Sequence, residues 1–159
     1  MSVPRLLQAL NARLARAALA LARLCLACLG IVVLYGVVRR YAFNAAPPWV
    51  EQVALLLVVS VSMFGAATVA HDAAHIGLES LVRRLPERAR RACAWLVALA
   101  TLAFATVLLW GSLEMAWSTH ADRIPTLGIS EAWRYVPAVA AAALIALFSI
   151  ARLLRTPWP

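Results

Sequence analysis

The chain has 159 residues, 64% of them hydrophobic, against about 45–50% apolar residues in an ordinary soluble domain. Its net charge of +8 comes from 15 Arg, with no Lys, against 7 acidic residues. Those Arg cluster at the ends of long apolar runs, where membrane proteins place them, so the composition argues against a nucleic-acid partner and for a membrane chain.

The chain opens with Leu6, Leu10 and Leu14 at helical spacing and Arg13 and Arg16 beside them, the pattern of a short amphipathic helix at the membrane interface. The first apolar run, Leu24 to Val38, is extended past Arg23 by Ala17 to Ala22, with Arg23 reaching back to the headgroups. It ends at Arg39-Arg40 without a small-residue cleavage site, so we read it as an uncleaved anchor and not a signal peptide. Cys25 and Cys28 form a C-x-x-C inside this run and Cys93 lies in another; at hydrocarbon depth such residues are small apolar side chains rather than a redox or metal motif.

Next comes an unusually polar stretch, "RRYAFNAAPPWVEQ", from Arg39 to Gln52. Pro47 and Pro48 suit a helix start, and Glu51 in the first turn favours the helix dipole. Glu51 is also a candidate for an ion pair, with Arg39 or Arg40 or with another subunit. Tyr41 and Trp49 fit an aromatic belt at headgroup level.

The second run is Val53 to Ala70. Beyond it, His71, His75 and Glu79 share one helical face, an interfacial polar stripe. A metal would need a further strong ligand and a haem would need an axial His on a facing helix, so no metal or cofactor is expected. Leu78, Leu81, Val82 and Leu85 then mark a second interfacial helix, which places Arg83 and Arg84 near lipid phosphate. The third run is Cys93 to Leu113. A connection from Glu114 to Arg134 leads to the fourth run, Tyr135 to Ala151.

Each run is long enough to span a bilayer, which takes about 20 apolar residues. The expected fold is therefore an all-α membrane protein. It has four transmembrane helices, at about 17–38, 50–70, 92–113 and 135–151, in one integral membrane domain, with short amphipathic interfacial helices at the N-terminus and between helices two and three. Eleven Arg fall on the side of the termini and four on the other, which puts both termini in the cytoplasm.

The polar residues within the runs are hydroxyls such as Ser60, Ser62, Thr68, Thr101, Thr106 and Ser149, which bond to their own helix or to a neighbour. Mid-depth charge and broken helices, the usual marks of a transport path, do not occur in the four runs. The chain reads as a membrane scaffold and not as an enzyme. A self-contained homo-oligomeric carrier with Glu51 as its coupling carboxylate is the alternative, disfavoured by the position of Glu51 at the membrane edge.

The polar stretch also resembles the signature of the small membrane subunit of tripartite ATP-independent periplasmic (TRAP) transporters, the DctQ-like family. The matching positions are Arg40, Phe43, Asn44, Trp49, Glu51 and Gly65-Ala66-Ala67. The segment "AHIGLESLVRRLPERARR" is similar to the family's next block, with His75-Ile76 at its His-Ile pair and Glu79 where Asp is common. A late block follows at Thr126, Leu127, Gly128, Ile129, Trp133 and Tyr135. The resemblance covers about residues 20–152, with His71, Gly77 and Ser130 departing from it.

The resemblance implies a bacterial inner-membrane brace for a large permease subunit. That permease holds the substrate and ion sites, and a periplasmic substrate-binding protein delivers an organic acid. It further implies that Arg40, Tyr41, Phe43, Asn44, Trp49, Glu51 and His75 serve partner contact or interfacial anchoring.

Overall fold

The computed structural model describes residues 3–45, 47–72, 86–125 and 128–154. They form four long helices: α1 (Val3–Ala42), α2 (Pro48–Asp72), α3 (Glu87–Ser118) and α4 (Val136–Leu153), with a 3-10 turn at Glu131–Arg134 just before α4. All four are long and apolar enough to cross a membrane, and each expected run lies within one helix except for Tyr135, which caps the 3-10 turn just before α4.

Two expectations are revised. The N-terminal segment is not a separate interfacial helix, because α1 runs unbroken from Val3 into the first span. No Pro or Gly interrupts Arg5 to Cys28, and Ala, Leu and Arg are strong helix formers. The third helix also continues past Leu113 to Ser118, so the connection to α4 is shorter than the sequence indicated. The expected interfacial helix around Leu78 to Leu85, with Arg83 and Arg84, lies outside the described residues, as do His75 and Glu79.

The packing is a row and not a closed bundle. α1 pairs antiparallel with α2, α3 pairs antiparallel with α4, and α2 lies alongside α4 while α1 only grazes it. The row therefore runs α1, α2, α4, α3. At one end, here called the hairpin end, Gln52 of α2 meets Arg134 before α4. At the other, His71 of α2 meets Phe148 of α4, ring edge to face with centroids 5.0 Å apart. The two central helices are thus parallel, which puts both hairpin connections at the same end.

Small side chains make this central contact close. Ala67, Ala105 and Ala141 are fully buried, with Ile145 beside them and Met63 and Leu144 packed around. Alanine lets helix backbones approach, the usual basis of helix association where lipid removes the hydrophobic driving force. Coverage elsewhere is slight: 39% of the most apolar stretch of α4 is buried, against 11% in α1 and in α3. Leu24, Ile31 and Leu34 of α1, and Leu96, Phe104 and Val107 of α3, stand exposed.

Five of the span hydroxyls bond within their own helices. Ser60 donates to the Leu56 carbonyl (2.7 Å), Thr68 to Gly65 (2.7 Å), Thr101 to Val97 (2.8 Å), Thr106 to Leu102 (2.8 Å) and Ser149 to Ile145 (2.8 Å). Bonded this way, they avoid the cost of an unpaired polar group in hydrocarbon.

Candidate functional site: the hairpin end

The polar stretch after α1 folds as a tight helix–turn–helix corner. α1 ends because Asn44 takes a left-handed conformation, φ 48°, which Asn tolerates better than other non-Gly residues. The amides of Phe43 and Ala45 then bond back to the Arg39 carbonyl, at 3.3 and 3.2 Å, using a carbonyl that the helix end would otherwise leave unpaired. α2 starts at Pro48, where a missing N–H costs nothing and the fixed φ suits a first turn.

Two contacts fix the angle between α1 and α2. The rings of Tyr35 and Trp49 lie 5.6 Å apart at a 31° tilt. At the next residue of each helix, Gly36 faces Val50 so closely that a Cβ on Gly36 would meet Val50 Cγ1 at 2.8 Å. The Arg39 guanidinium sits over the Phe43 ring at 5.3 Å, a cation–π contact, and its Nε is buried without a hydrogen bond.

The second corner, between α3 and α4, is a small hairpin of its own. Arg123 and Ser130 form an isolated antiparallel bridge. The Ile124 amide bonds to the Ile129 carbonyl at 2.9 Å, and the Gly128 amide to Ile124 at 2.8 Å. Gly128 has φ +68°, the left-handed turn for which glycine carries no steric cost. Ser130 Oγ donates to the His120 carbonyl at 2.9 Å and accepts from the Ala132 amide, capping the 3-10 turn.

A polar clamp joins the corners. Arg134 Nη1 pairs with Glu131 Oε1 at 2.8 Å, and Arg134 Nη2 donates to the Gln52 side-chain oxygen. All three residues are half-buried, and a charged donor roughly doubles the strength of such bonds. From sequence alone Arg134 counts only toward orientation, and Gln52 carries no signal. No local pattern in one chain links positions 82 residues apart.

The residues expected here divide by role. Trp49 and Asn44 hold the corner's own shape. Arg40, Tyr41, Phe43 and Glu51 are exposed, Tyr41 at 83%. Glu51 stands in the first turn of α2. Among the described residues it forms no ion pair with Arg39 or Arg40, so of the pairings weighed for it, those within the chain are not made. The corner thus presents an exposed aromatic and charged rim on a rigid, internally bonded base.

Comparison with known proteins gives this arrangement a context. The family profile described as "Tripartite ATP-independent periplasmic transporters, DctQ component" matches residues 29–156. Two Haemophilus influenzae proteins, each provisionally named a TRAP transporter small permease protein, are similar. One is 27% identical over 122 residues, covering 75% of this chain and 74% of the relative. The other is 26% identical over 131 residues, covering 82% and 81%.

Proposed function

The chain belongs to the DctQ component family of the tripartite ATP-independent periplasmic transporters, and we propose that within such a transporter it is the static brace of a large permease subunit. It is a multi-pass membrane protein of four spans. In this reading it sits in the bacterial inner membrane with both termini cytoplasmic. The large subunit carries the substrate and ion sites, a periplasmic binding protein delivers an organic acid, and an ion gradient drives uptake.

The observation that carries this reading is the open row of helices. A self-sufficient carrier encloses its solute between helices, with polar groups at mid-depth to replace lost hydration. Here Ser60, Thr68, Thr101, Thr106 and Ser149 are turned back on their own backbones. The contact between α2, α3 and α4 is closed by alanine and aliphatic side chains, and broad apolar faces on both flanks are left to lipid or to another helical protein.

In this reading Arg40, Tyr41, Phe43 and Glu51 form a rim for subunit contact and headgroup anchoring on a base shaped by Asn44 and Trp49. The same reading assigns His75 to partner contact and Arg83 and Arg84 to the lipid interface.

The test is solute uptake into liposomes with each component omitted in turn. This subunit alone gives no ion-driven accumulation of organic acid, whereas adding the large permease and the binding protein restores it. Accumulation by this subunit alone would reject the brace and establish the self-contained carrier in its place.

A further inference from the structure

Among the described residues, the surplus positive charge belongs to one end of the molecule. The hairpin end holds four Arg against four carboxylates, while the opposite end holds eight Arg against two. α1 concentrates this surplus, since no acidic residue precedes Glu51.

At about 100° and 1.5 Å per residue, Arg13, Arg16 and Arg23 fall within roughly 80° of arc and about 15 Å of helix length. All three are exposed. Arg16 Nε bonds to the Ala12 carbonyl at 3.3 Å, and among the described residues no carboxylate pairs with any of the three. The opposite face of the same helix buries Asn11, Ala15, Ala18 and Ala22. The cationic stripe therefore points away from the protein.

Its flank identifies the occupant. Leu10, Leu21 and Leu24 stand 48%, 45% and 61% exposed next to the stripe, and the charge-free run begins at Leu24. A free phosphate or a nucleic acid has no use for an aliphatic border, but a phospholipid presents both phosphate and acyl chain. The positive charge of each Arg attracts a phosphate, and long side chains reach along a helix to the headgroup layer. A surplus of positive charge favours an anionic headgroup over a zwitterionic one.

We propose that the Arg13–Arg16–Arg23 stripe of α1 is a docking site for anionic phospholipid headgroups. The proposal needs only the four membrane spans and stands whatever the transporter takes up.

The test is native mass spectrometry of the detergent-purified full chain, titrated with phosphatidylglycerol or with phosphatidylcholine. Each Arg near an anionic surface is worth about fivefold in binding. The unmodified chain should therefore prefer phosphatidylglycerol by about tenfold or more, a preference that millimolar inorganic phosphate does not abolish. The triple variant Arg13→Gln, Arg16→Gln, Arg23→Gln should lose most of it, the corresponding triple Lys variant should keep it, and Arg123→Gln at the hairpin end should leave it unchanged. Helix content by circular dichroism shows whether the Gln variant is folded. Full preference in the folded Gln variant, no preference in the unmodified chain, or displacement by inorganic phosphate would each overturn the proposal. Loss in both triple variants would do the same, since charge alone would then not account for it.

Discussion

Asn44 and Glu51 are neighbours in the same polar stretch, yet the structure gives them opposite kinds of work. Asn44 is exposed but set by backbone geometry, at φ 48°. Replacing it with Gly should leave stability within a few tenths of a kcal/mol. Val at the same position should cost about 1–3 kcal/mol, because a β-branched residue is strained in a left-handed conformation. Unfolding in detergent micelles, followed by circular dichroism, checks this; equal stability of the Gly and Val variants would remove the geometric explanation. Glu51 is exposed at the start of α2, where its tie to its own chain is the helix dipole, worth about 0.3–1 kcal/mol. Glu51→Gln should therefore barely move the stability of the isolated chain while weakening assembly with the large subunit or the resulting flux, with the same solute chosen. Co-purification and uptake measure the two effects, and a changed solute preference would mean that Glu51 reads the substrate.

The α1–α2 pair depends on one close approach. A methyl on Gly36 would press on Val50 Cγ1 at 2.8 Å, and Val50 is buried and stiff about χ1. Gly36→Ala should cost about 1–3 kcal/mol by overpacking. Adding Val50→Ala should recover part of that loss, and Gly65→Ala, where a Cβ meets nothing within 4 Å, should be nearly neutral. Thermal unfolding of the three variants decides; a neutral Gly36→Ala would show that the helices separate freely at this point. The four spans were legible from sequence because bilayer thickness sets their length, and the helix start at Pro48 because proline chemistry is local. The row order was not legible, since each helix is apolar nearly all round and periodicity then names no preferred neighbour. The continuity of the N-terminal segment with the first span is not legible for a related reason: Leu6, Leu10 and Leu14 with Arg13 and Arg16 beside them carry the pattern of an interfacial helix, and the same pattern suits one unbroken helix where nothing in the segment breaks the backbone. The clamp of Arg134 on Gln52 escaped notice because it depends on α2 and α4 lying parallel, a fact of tertiary packing alone.

At the scale of the whole molecule, charge and topology make a joint claim. The parallel packing of α2 and α4 places both hairpin corners at one end, so an even number of spans returns the chain to the side where it began. That leaves two orientations, and the charge distribution separates them. Among the described residues, the hairpin end is neutral in sum and the other end carries a surplus of +6. Arg flanking a span resists translocation across the inner membrane, and eleven against four is a strong bias because the Arg lie in short segments next to the span ends, where the rule applies. The expected orientation has the hairpin end in the periplasm and both termini in the cytoplasm. A reporter active only in the periplasm should be silent when fused at Pro159 and active when inserted beside Ala45. The mirror result would place the Arg-rich end outside and the exposed rim of Arg40, Tyr41, Phe43 and Glu51 in the cytoplasm. The rim could not then meet a periplasmic protein, and the proposed anionic-lipid contact would face the outer leaflet.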